Sequence, residues 1–159
     1  MNTPLAIRLA RPSDALALTD LVLRSKRSNG YDDAFMAACT EELSVTISDI
    51  EVGLYWIAAR DIPLGCVCLD PKGESGQISA FFVDPDAKRQ GIGQLLWQHV
   101  KREAQALGII RLSLDADPAA VPFYNALGFE VIGETPSGSI PNRMLPLMAI
   151  ELDRQPSRA

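Results

Sequence analysis

The stretch Asp84-Pro85-Asp86-Ala87-Lys88-Arg89-Gln90-Gly91-Ile92-Gly93-Gln94-Leu95-Leu96 joins a predicted strand to a predicted helix. The β-rich apolar run Gln77–Val83 precedes it, and a helical pattern that reaches Leu107 follows it. Glycine lets a ligand approach the backbone closely, and the first N–H groups of a helix lack partners within the helix. Lys88 and Arg89 add positive charge at the same place. The stretch therefore predicts a phosphate-binding turn.

This turn matches neither of two common phosphate-binding motifs. No G-x-x-x-x-G-K-[ST] sequence occurs in the chain, and Leu96 stands where a dinucleotide-binding fingerprint has its third glycine. A pair of glycines after a strand is also found in ordinary strand-to-helix connections, where the glycines serve packing. The turn alone leaves both interpretations open.

Length and composition predict one soluble globular domain. The chain has 159 residues, of which 47% are hydrophobic and 22% are charged, and such a chain is long enough to bury a core. We expect a single domain over residues 1–153 and a frayed polar tail over residues 154–159.

The net charge of -5 argues against general nucleic-acid binding, which needs a basic surface. Met1–Pro4 lacks the features of an export signal, and no apolar run reaches the roughly 18 residues of a membrane span.

The cysteines predict a protein of the reducing cytoplasm. There are three of them, Cys39, Cys66 and Cys68, and an odd number without an export signal argues against a disulfide framework. Cys66 and Cys68 are two positions apart on a predicted strand, so their side chains face the same way, as in a core strand. Because the chain has one histidine, no zinc site or other metal site is expected.

Hydrophobic periodicity predicts an α+β fold of three layers, in which helices cover both faces of a mixed central sheet. The segments Asp70–Gly76 and Glu134–Asn142 are rich in proline and glycine and are predicted as loops. A short capped turn is predicted at Thr46–Ile50. The predicted strands are Leu5–Ala10, Leu54–Arg60, Leu64–Leu69, Gln77–Val83, Ile109–Leu114, Phe129–Gly133 and Met144–Leu152, and the predicted helices begin near Arg11, Tyr31, Gly91 and Ala119.

Two segments together resemble the GNAT superfamily of acyl-CoA N-acyltransferases. The first, Lys88-Arg89-Gln90-Gly91-Ile92-Gly93 after the strand Phe81-Phe82-Val83, is similar to the family's [Q/R]-x-x-G-x-[G/A] pyrophosphate loop. The second, Asp117-Pro118-Ala119-Ala120-Val121-Pro122-Phe123-Tyr124-Asn125-Ala126-Leu127-Gly128-Phe129, is similar to the family's N-x-x-A-x-x-x-Y-x-x-x-G-F segment. The separation of the two segments and the order of elements also fit, so the resemblance covers nearly the whole chain.

The resemblance implies that acetyl-coenzyme A (acetyl-CoA) is the cosubstrate. Backbone N–H groups would hold its pyrophosphate, and its pantetheine arm would pair like an added strand in the gap between the two central strands. Two positions depart from the family: Lys88 replaces Gln or Arg, and Asp117 replaces an Asn whose N–H an acid does not provide. The residues implied in cofactor binding are Phe82, Val83, Lys88, Arg89, Gln90, Gly91, Ile92, Gly93, Gln94, Asp117 and Asn125.

The resemblance further implies direct N-acetyl transfer to a primary amine. Tyr124 stands at the position of the family's general acid, which protonates the departing thiolate of coenzyme A. The alternative is that Tyr124 only packs against neighbouring aromatic rings. No cysteine has a visible histidine partner, so a thiol intermediate is not expected. The general base is left open between a relayed water and the acidic residues of the second helix, Asp32, Asp33, Glu41 and Glu42.

The predicted acceptor is a small-molecule or peptide amine. Tyr31 lies on a connection that borders the acceptor pocket in this superfamily, and the loop Thr135–Arg143, with Ser139 and Arg143, would form the other wall. Two other functions stay open at this point: a CoA-binding regulatory or interaction domain without turnover, and a phosphate-binding domain unrelated to acyl transfer. The last strands and this loop are also candidates for a homodimer contact.

Overall fold

A computed structural model describes residues 3–154 of the chain. Short 3-10 turns at Pro12–Asp14, Pro85–Ala87 and Pro118–Ala120 precede helices. None of the described helices is long and apolar enough to cross a membrane. The described strands are β1 (Ala6–Leu9), β2 (Leu54–Ala59), β3 (Pro63–Lys72), β4 (Ser75–Val83), β5 (Arg111–Asp115), β6 (Glu130–Pro136) and β7 (Met144–Glu151), and the helices are α1 (Ala15–Arg27), α2 (Asp33–Leu43), α3 (Ile47–Val52), α4 (Ile92–Ala106) and α5 (Val121–Leu127).

The strands form a mixed sheet with the hydrogen-bonding order β1-β2-β3-β4-β5-β7-β6. β1 pairs with β2, and β7 pairs with both β5 and β6, in antiparallel fashion. β4 and β5 are parallel, as expected for two strands joined through a helix. A mixed sheet with helices between its strands confirms the predicted α+β fold.

The chain divides into two compact units. The first consists of Met1–Cys68 and Ala80–His99, and the second of Leu69–Ser79 and Val100–Ala159. The single domain over residues 1–153 therefore stays a prediction. Of the predicted frayed tail, Arg154 is described, whereas residues 155–159 lie outside the described part of the chain, as do Met1 and Asn2.

The core of the first unit forms where α1 and α3 pack on β2 and β3. Leu18, Leu21 and Val22 are spaced by three or four positions, which places them on one face of α1, and all three are buried. The capping box of Thr46 and Asp49 starts α3, so the predicted short turn is a helix of six residues. The buried members of this core are Leu18, Leu21, Val22, Ile50, Tyr55, Ile57, Cys66 and Cys68.

The core of the second unit includes one face of β5, along which buried and more exposed residues alternate. Leu112 and Leu114 are buried, whereas Arg111 and Asp115 at the ends of the strand are exposed. Gly76 on β4 lies close to this apolar face, because a Cβ atom there would be 3.1 Å from side chains of Leu69, Ile109 and Leu112. The second unit is therefore packed tightly around the start of β4.

Two predicted loops are partly wrong. β3 continues to Lys72 and β4 begins at Ser75, so the segment predicted as the loop Asp70–Gly76 is mostly strand, with a tight turn at Gly73. β6 likewise runs through Pro136, so the second loop starts later than predicted. Pro71 and Pro136 are both exposed, and proline is tolerated in a strand where its missing N–H is not needed by the sheet.

Gly65 on β3 lets α4 approach the sheet closely. A Cβ atom on Gly65 would lie 2.8 Å from Ile92 Cγ2, 2.9 Å from Leu96 Cδ1 and 3.2 Å from the carbonyl oxygen of Phe82. Ile92 and Leu96 are fully buried in the first two turns of α4. The contact therefore sets the position at which the glycine-rich turn ends and the helix begins.

The Gly65→Ala variant should lose about 1–3 kcal/mol of unfolding free energy, because the added methyl group overpacks the contact with α4. Urea unfolding measures the change. Gly133→Ala is the matched control, because a Cβ there meets Leu147 Cδ2 at an ordinary 3.9 Å, and we expect a change within about 0.5 kcal/mol. Equal losses in the two variants would contradict the role given to Gly65.

Candidate active site

The glycine-rich turn has the backbone geometry of an anion site. Arg89 has a φ of 67° and Gly91 a φ of 77°, so both adopt the left-handed conformation. This conformation is uncommon for a residue other than glycine, and in turns it directs successive N–H groups toward one side. Residues 88–91 are all exposed. The turn therefore presents its backbone donors to solvent.

The first residues of α4 add further donors. The first hydrogen bond of the helix joins the N–H of Leu95 to the carbonyl oxygen of Gly91 at 3.0 Å, so the N–H groups of residues 92–94 precede the helical hydrogen-bond pattern. The side chain of Ile92 is buried, which leaves only its backbone for a ligand. A Cβ on Gly91 would meet nothing within 4 Å, so the space outside the turn is open.

Asp84 anchors the turn and was missing from the predicted site. Its side chain is 4% exposed, and Oδ2 accepts a hydrogen bond from Arg24 Nη2 at 2.8 Å. Oδ1 accepts one from the N–H of Asp86 at 2.9 Å, and the N–H of Asp84 donates to the carbonyl oxygen of Leu64 at 2.8 Å. The hydrogen bond from Arg24 lowers the pKa of Asp84, against the opposing effect of burial. The carboxylate is therefore held in its charged form.

A cavity of about 550 Å³ opens beside this anchor within the first unit. Arg24 and Asp84 line it together with Asp86 and Gln90 of the turn. The Arg24 side chain is 39% exposed, and its Nε also donates to Asp20 at 2.8 Å. Solvent therefore reaches the arginine from this side and screens part of its charge.

Tyr31 belongs to an aromatic pair that already holds an ammonium group. Its ring stacks on Phe35 with centroids 3.9 Å apart and planes 9° apart, and Lys26 Nζ lies 5.2 Å from the Tyr31 centroid. Beside it, Asp32 caps α2 by accepting from the N–H of Phe35, and Asp33 pairs with an arginine of α1. Two of the four carboxylates considered as general bases thus have structural roles.

Tyr124 lies in an apolar aromatic environment in the second unit. The residue is 7% exposed, and its ring makes edge contacts with Phe123 and Phe129 at centroid distances of 5.3 and 5.7 Å. Gly128, with a φ of 110°, ends α5 as the predicted C-cap. Burial raises the pKa of Tyr124, and the negative charge of Asp117 raises it further. The hydroxyl therefore keeps its proton at neutral pH.

Asp117 and Arg143 are brought together in the second unit. Asp117 Oδ1 accepts a hydrogen bond from the N–H of Ala119 at 2.9 Å, and its Oδ2 lies 3.9 Å from Arg143 Nη2. The N–H of Ser139 donates to Ser137 Oγ at 3.3 Å in the same loop. The side chain of Asn125 lies on an exposed position of α5. The predicted site residues of this unit thus include one half-buried acid, one cation paired with it and two polar side chains.

The pairing of β4 with β5 covers a short register. Ser75–Gln77 pairs with Arg111–Ser113, while β4 continues to Val83 and β5 to Asp115. Phe82 and Val83 at the end of β4 are half-buried. Among the described residues, no cluster of three or more histidine, cysteine or acidic side chains could hold a metal ion.

The family model of the acetyltransferase (GNAT) domain matches residues 22–138, well over half of the chain. This chain belongs to the GNAT acetyltransferase family. The predicted family, N-acetyltransferase activity and acetyl-CoA cosubstrate are thereby confirmed.

Known proteins of the family resemble the chain in sequence and in fold. The chain is 33% identical to the peptidyl-lysine N-acetyltransferase YjaB of Salmonella typhimurium over 106 residues. This aligned region covers 65% of this chain and 69% of that protein. The PaiA N-acetyltransferase of Thermoplasma acidophilum, solved with coenzyme A, has a TM-score of 0.79 at 17% identity, covering 93% and 99% of the two chains. The ribosomal-protein-S18-alanine N-acetyltransferase of Escherichia coli has a TM-score of 0.69 at 18% identity, covering 100% and 99%.

The predicted site lacks the residues that support the turn from outside it. Gly65 and Arg24 contact the turn or its flanks from distant parts of the chain, and no local pattern marks them. Asp84 had a usable signal, because Asp before Pro and Asp is a typical side-chain cap of a short turn. The predicted residues of the turn lie in the first unit with Tyr31, and those of the Tyr124 segment in the second.

The Arg24→Gln variant should lose on the order of 2 kcal/mol of unfolding free energy at pH 7, because it leaves the buried Asp84 carboxylate without its main partner. The folded pKa of Asp84 is lowered, so this stabilisation is present above the unfolded pKa of about 3.9 and disappears as the pH falls through the folded pKa. Urea unfolding at several pH values should therefore show the two proteins converging below about pH 4.

Arg27→Gln is the control for this experiment. Arg27 Nη1 pairs with Asp33 Oδ1 at 2.6 Å, but both side chains are more than half exposed. Such a pair contributes about 0–1 kcal/mol. A loss for Arg24→Gln that is equally small, or that does not change with pH, would show that Asp84 does not depend on Arg24.

Proposed function

We propose that this chain transfers the acetyl group of acetyl-CoA to a lysine amine of a peptide or protein, by direct attack and without a covalent enzyme intermediate. The observation that carries the proposal is the exposed turn at residues 88–94. Its left-handed Arg89 and Gly91 and the start of α4 supply backbone N–H groups and the positive end of a 15-residue helix. This arrangement suits the pyrophosphate of coenzyme A, with Lys88, Gln90, Gly93 and Gln94 around it.

The short register between β4 and β5 supports a place for the pantetheine arm. Gln77 and Ser113 form the last residue pair in the register. Both strands continue beyond this pair without further pairing to each other. An extended amide chain adds to a strand through backbone hydrogen bonds. We assign this role to the end of β4, at Phe82 and Val83.

The proposed reaction has two linked steps. The neutral amine attacks the thioester carbonyl carbon, and the ammonium proton has left to solvent beforehand. A backbone N–H near Val83 stabilises the negative charge on the carbonyl oxygen. When the C–N bond has formed, the nitrogen loses its second proton to solvent, the C–S bond breaks, and sulfur leaves as a thiolate. Tyr124 donates its proton to this thiolate and is then reprotonated from solvent. Its buried, protonated hydroxyl supports this role.

The cysteines support direct transfer. All three are buried and none is in a disulfide. Burial raises the pKa of Cys66 to about 12, so its thiolate, which is the nucleophilic form, is scarce at neutral pH. A route through an acetylated cysteine is therefore disfavoured at this position. Reduced thiols also agree with a cytoplasmic location, which we keep as part of the proposal.

Two observations support a lysine as the acceptor: the named activity of a relative and an aromatic surface in the first unit. The relative of Salmonella typhimurium is named a peptidyl-lysine N-acetyltransferase. In this chain, the ring of Tyr31 already has the Lys26 ammonium at cation–π distance. We propose that an acceptor lysine uses the same aromatic surface. Ser139 stays a predicted acceptor contact, and Asn125 stays a predicted cofactor contact. A homodimer stays a prediction.

Acetyl-CoA at about 100 times its dissociation constant should add roughly 2.7 kcal/mol to the unfolding free energy. The Gly91→Val variant should lose this gain, because a β-branched residue does not hold the left-handed turn. Gly108→Val is the matched control: Gly108 also has a left-handed φ, 80°, and open space around its Cβ position. It should keep the acetyl-CoA gain. Loss of the gain in both variants, or in neither, would remove the turn from the cofactor site.

Tyr124→Phe should keep the stabilisation by acetyl-CoA but lower kcat by about 100-fold or more, because only the proton donor is lost. The assay measures free thiol released with a lysine peptide whose N-terminus is blocked. The same peptide with N-acetyl-lysine is the negative control. Full activity of the variant would refute the acid role. Binding of acetyl-CoA without transfer to any amine by the unaltered protein would instead favour a CoA-binding domain without turnover.

A further inference from the structure

The cavity beside Asp84 lies on the β3 side of the glycine-rich turn. Its walls come from Thr3, from α1, from the turn that joins β2 to β3, and from the segment 84–90 after β4, all in the first unit. The sheet order places β3 and β5 on opposite sides of β4. The pantetheine arm is assigned to the side of β4 that faces β5, so the cavity is separate from that gap. Its volume of about 550 Å³ is typical of small-molecule sites.

Hydrogen bonds within the chain hold the walls of this cavity in place. Thr3 Oγ1 donates to Asp61 Oδ1 at 2.6 Å, and Arg60 Nη1 donates to the carbonyl oxygen of Thr3 at 2.9 Å. The N–H of Asp84 donates to the carbonyl oxygen of Leu64 at 2.8 Å, which ties the end of β4 to β3. A cavity with such walls is preformed, so a ligand that enters it needs little rearrangement of the protein.

Three polar side chains of the cavity keep hydrogen-bonding capacity for a ligand. In the described part of the chain, the Arg60 side chain makes one hydrogen bond, to Thr3. A guanidinium has five N–H donors, so most of those of Arg60 are available. The carboxylate of Asp86 and the side-chain amide of Gln90 have no hydrogen bond or ion pair with another described residue. A cation, an acid and an amide with unused capacity thus line one cavity.

The charges of the cavity determine which ligand it suits. Arg24 and Asp84 are paired with each other at 2.8 Å. Of the remaining charged residues of the lining, Arg60 is positive, whereas Asp61 and Asp86 are negative. A guanidinium binds a carboxylate through two parallel hydrogen bonds, and a carboxylate binds an ammonium group. A ligand with one negative and two positive charges complements this set, and an α-amino acid with a cationic side chain has these charges.

The cavity shares a segment of the chain with the cofactor turn. Asp86 and Gln90 line the cavity, and Gln90 stands between the left-handed residues Arg89 and Gly91. Residues 88–91 are all exposed. A ligand that contacts Asp86 and Gln90 restricts this segment, and a turn that is already ordered loses less conformational entropy when it binds a pyrophosphate. Binding at the two places should therefore be mutually favourable, because such coupling is reciprocal.

We propose that this cavity binds a free α-amino acid with a cationic side chain, and that its occupation tightens the binding of coenzyme A at the turn. The α-carboxylate lies at Arg60, and the two positive groups lie at Asp61 and Asp86. The amino-acid site is independent of the proposed transfer to a lysine. The coupling rests on one part of the proposed function, the assignment of the turn to coenzyme A.

The first test is calorimetric titration of the full chain with three matched compounds, in the absence of coenzyme A. L-lysine has all three charges, L-norleucine lacks the side-chain ammonium group, and cadaverine lacks the carboxylate. L-lysine should bind about 5-fold or more tightly than either analogue, because each analogue loses one charged contact at a partly exposed site. Equal binding of the three compounds, or no binding of L-lysine in the millimolar range, would overturn the inference.

Variants locate the bound amino acid. Arg60→Gln and Asp86→Asn should each weaken L-lysine binding by about 5-fold or more. Arg11→Gln is the matched control and should leave binding unchanged, because Arg11 is an exposed arginine of the first unit outside the cavity lining. Loss of binding in Tyr31→Ala but not in Arg60→Gln would overturn the inference and place the ligand at the aromatic surface proposed for the acceptor. Thermal unfolding shows whether each variant is folded.

The second test measures the coupling with coenzyme A, which has no acetyl group to transfer. Saturating L-lysine should lower the dissociation constant of coenzyme A by about 5-fold, and Arg60→Gln should abolish this effect. Competition between the two ligands would show that the cavity belongs to the cofactor site, and an unchanged constant would show that the sites are not coupled. Either result would overturn the inference. Both binding results together with no transfer to lysine peptides would instead contradict only the proposed reaction, so the two failures are distinguishable.

Discussion

The glycine-rich turn depends on the hydrogen bonds that hold the buried carboxylate of Asp84. A charge at this depth is costly unless hydrogen bonds replace its water. Arg24 of α1 and the N–H of Asp86 donate to this carboxylate, and the backbone N–H of Asp84 donates separately to the carbonyl oxygen of Leu64. The arginine stands on α1, whose apolar face forms part of the core of the first unit. The position at which the glycine-rich turn starts thus depends on the packing of α1, although the two are far apart in sequence.

A steric constraint acts at the other end of the turn. The side chains of Ile92 and Leu96 pack against Gly65, where a Cβ atom would not fit. This contact fixes the start of α4. Between the two fixed ends, Arg89 adopts a left-handed conformation that costs about 1–2 kcal/mol for a side chain of this kind. The hydrogen bonds of Asp84 at one end and the Gly65 contact at the other keep the turn in this conformation. Donors held in this way need little rearrangement when an anion binds.

Local patterns predicted the parts of the site that are contiguous in sequence. The turn after β4, the apolar stripe of α4 and the Gly128 cap each depend on neighbouring residues, and the structure shows all three. Arg24 and Gly65 depend on contacts between distant segments, for which a single sequence carries no periodic signal. The wrong loop at Asp70–Gly76 has a related cause. Proline and glycine mark loops only on average, and Pro71 lies where β3 tolerates it.

Asp117 shows why a departure from a family motif needs the surrounding charges before it is interpreted. Taken alone, an acid in place of an amide removes a donor and adds a negative charge at the 3-10 turn before α5. Arg143, which lies beyond α5 and β6 in the chain, adds the opposite charge. The pair together has the net charge of the amide that it replaces, and Asp117 keeps the capping oxygen. The charge at a motif position is therefore a property of the folded neighbourhood and not of the single residue.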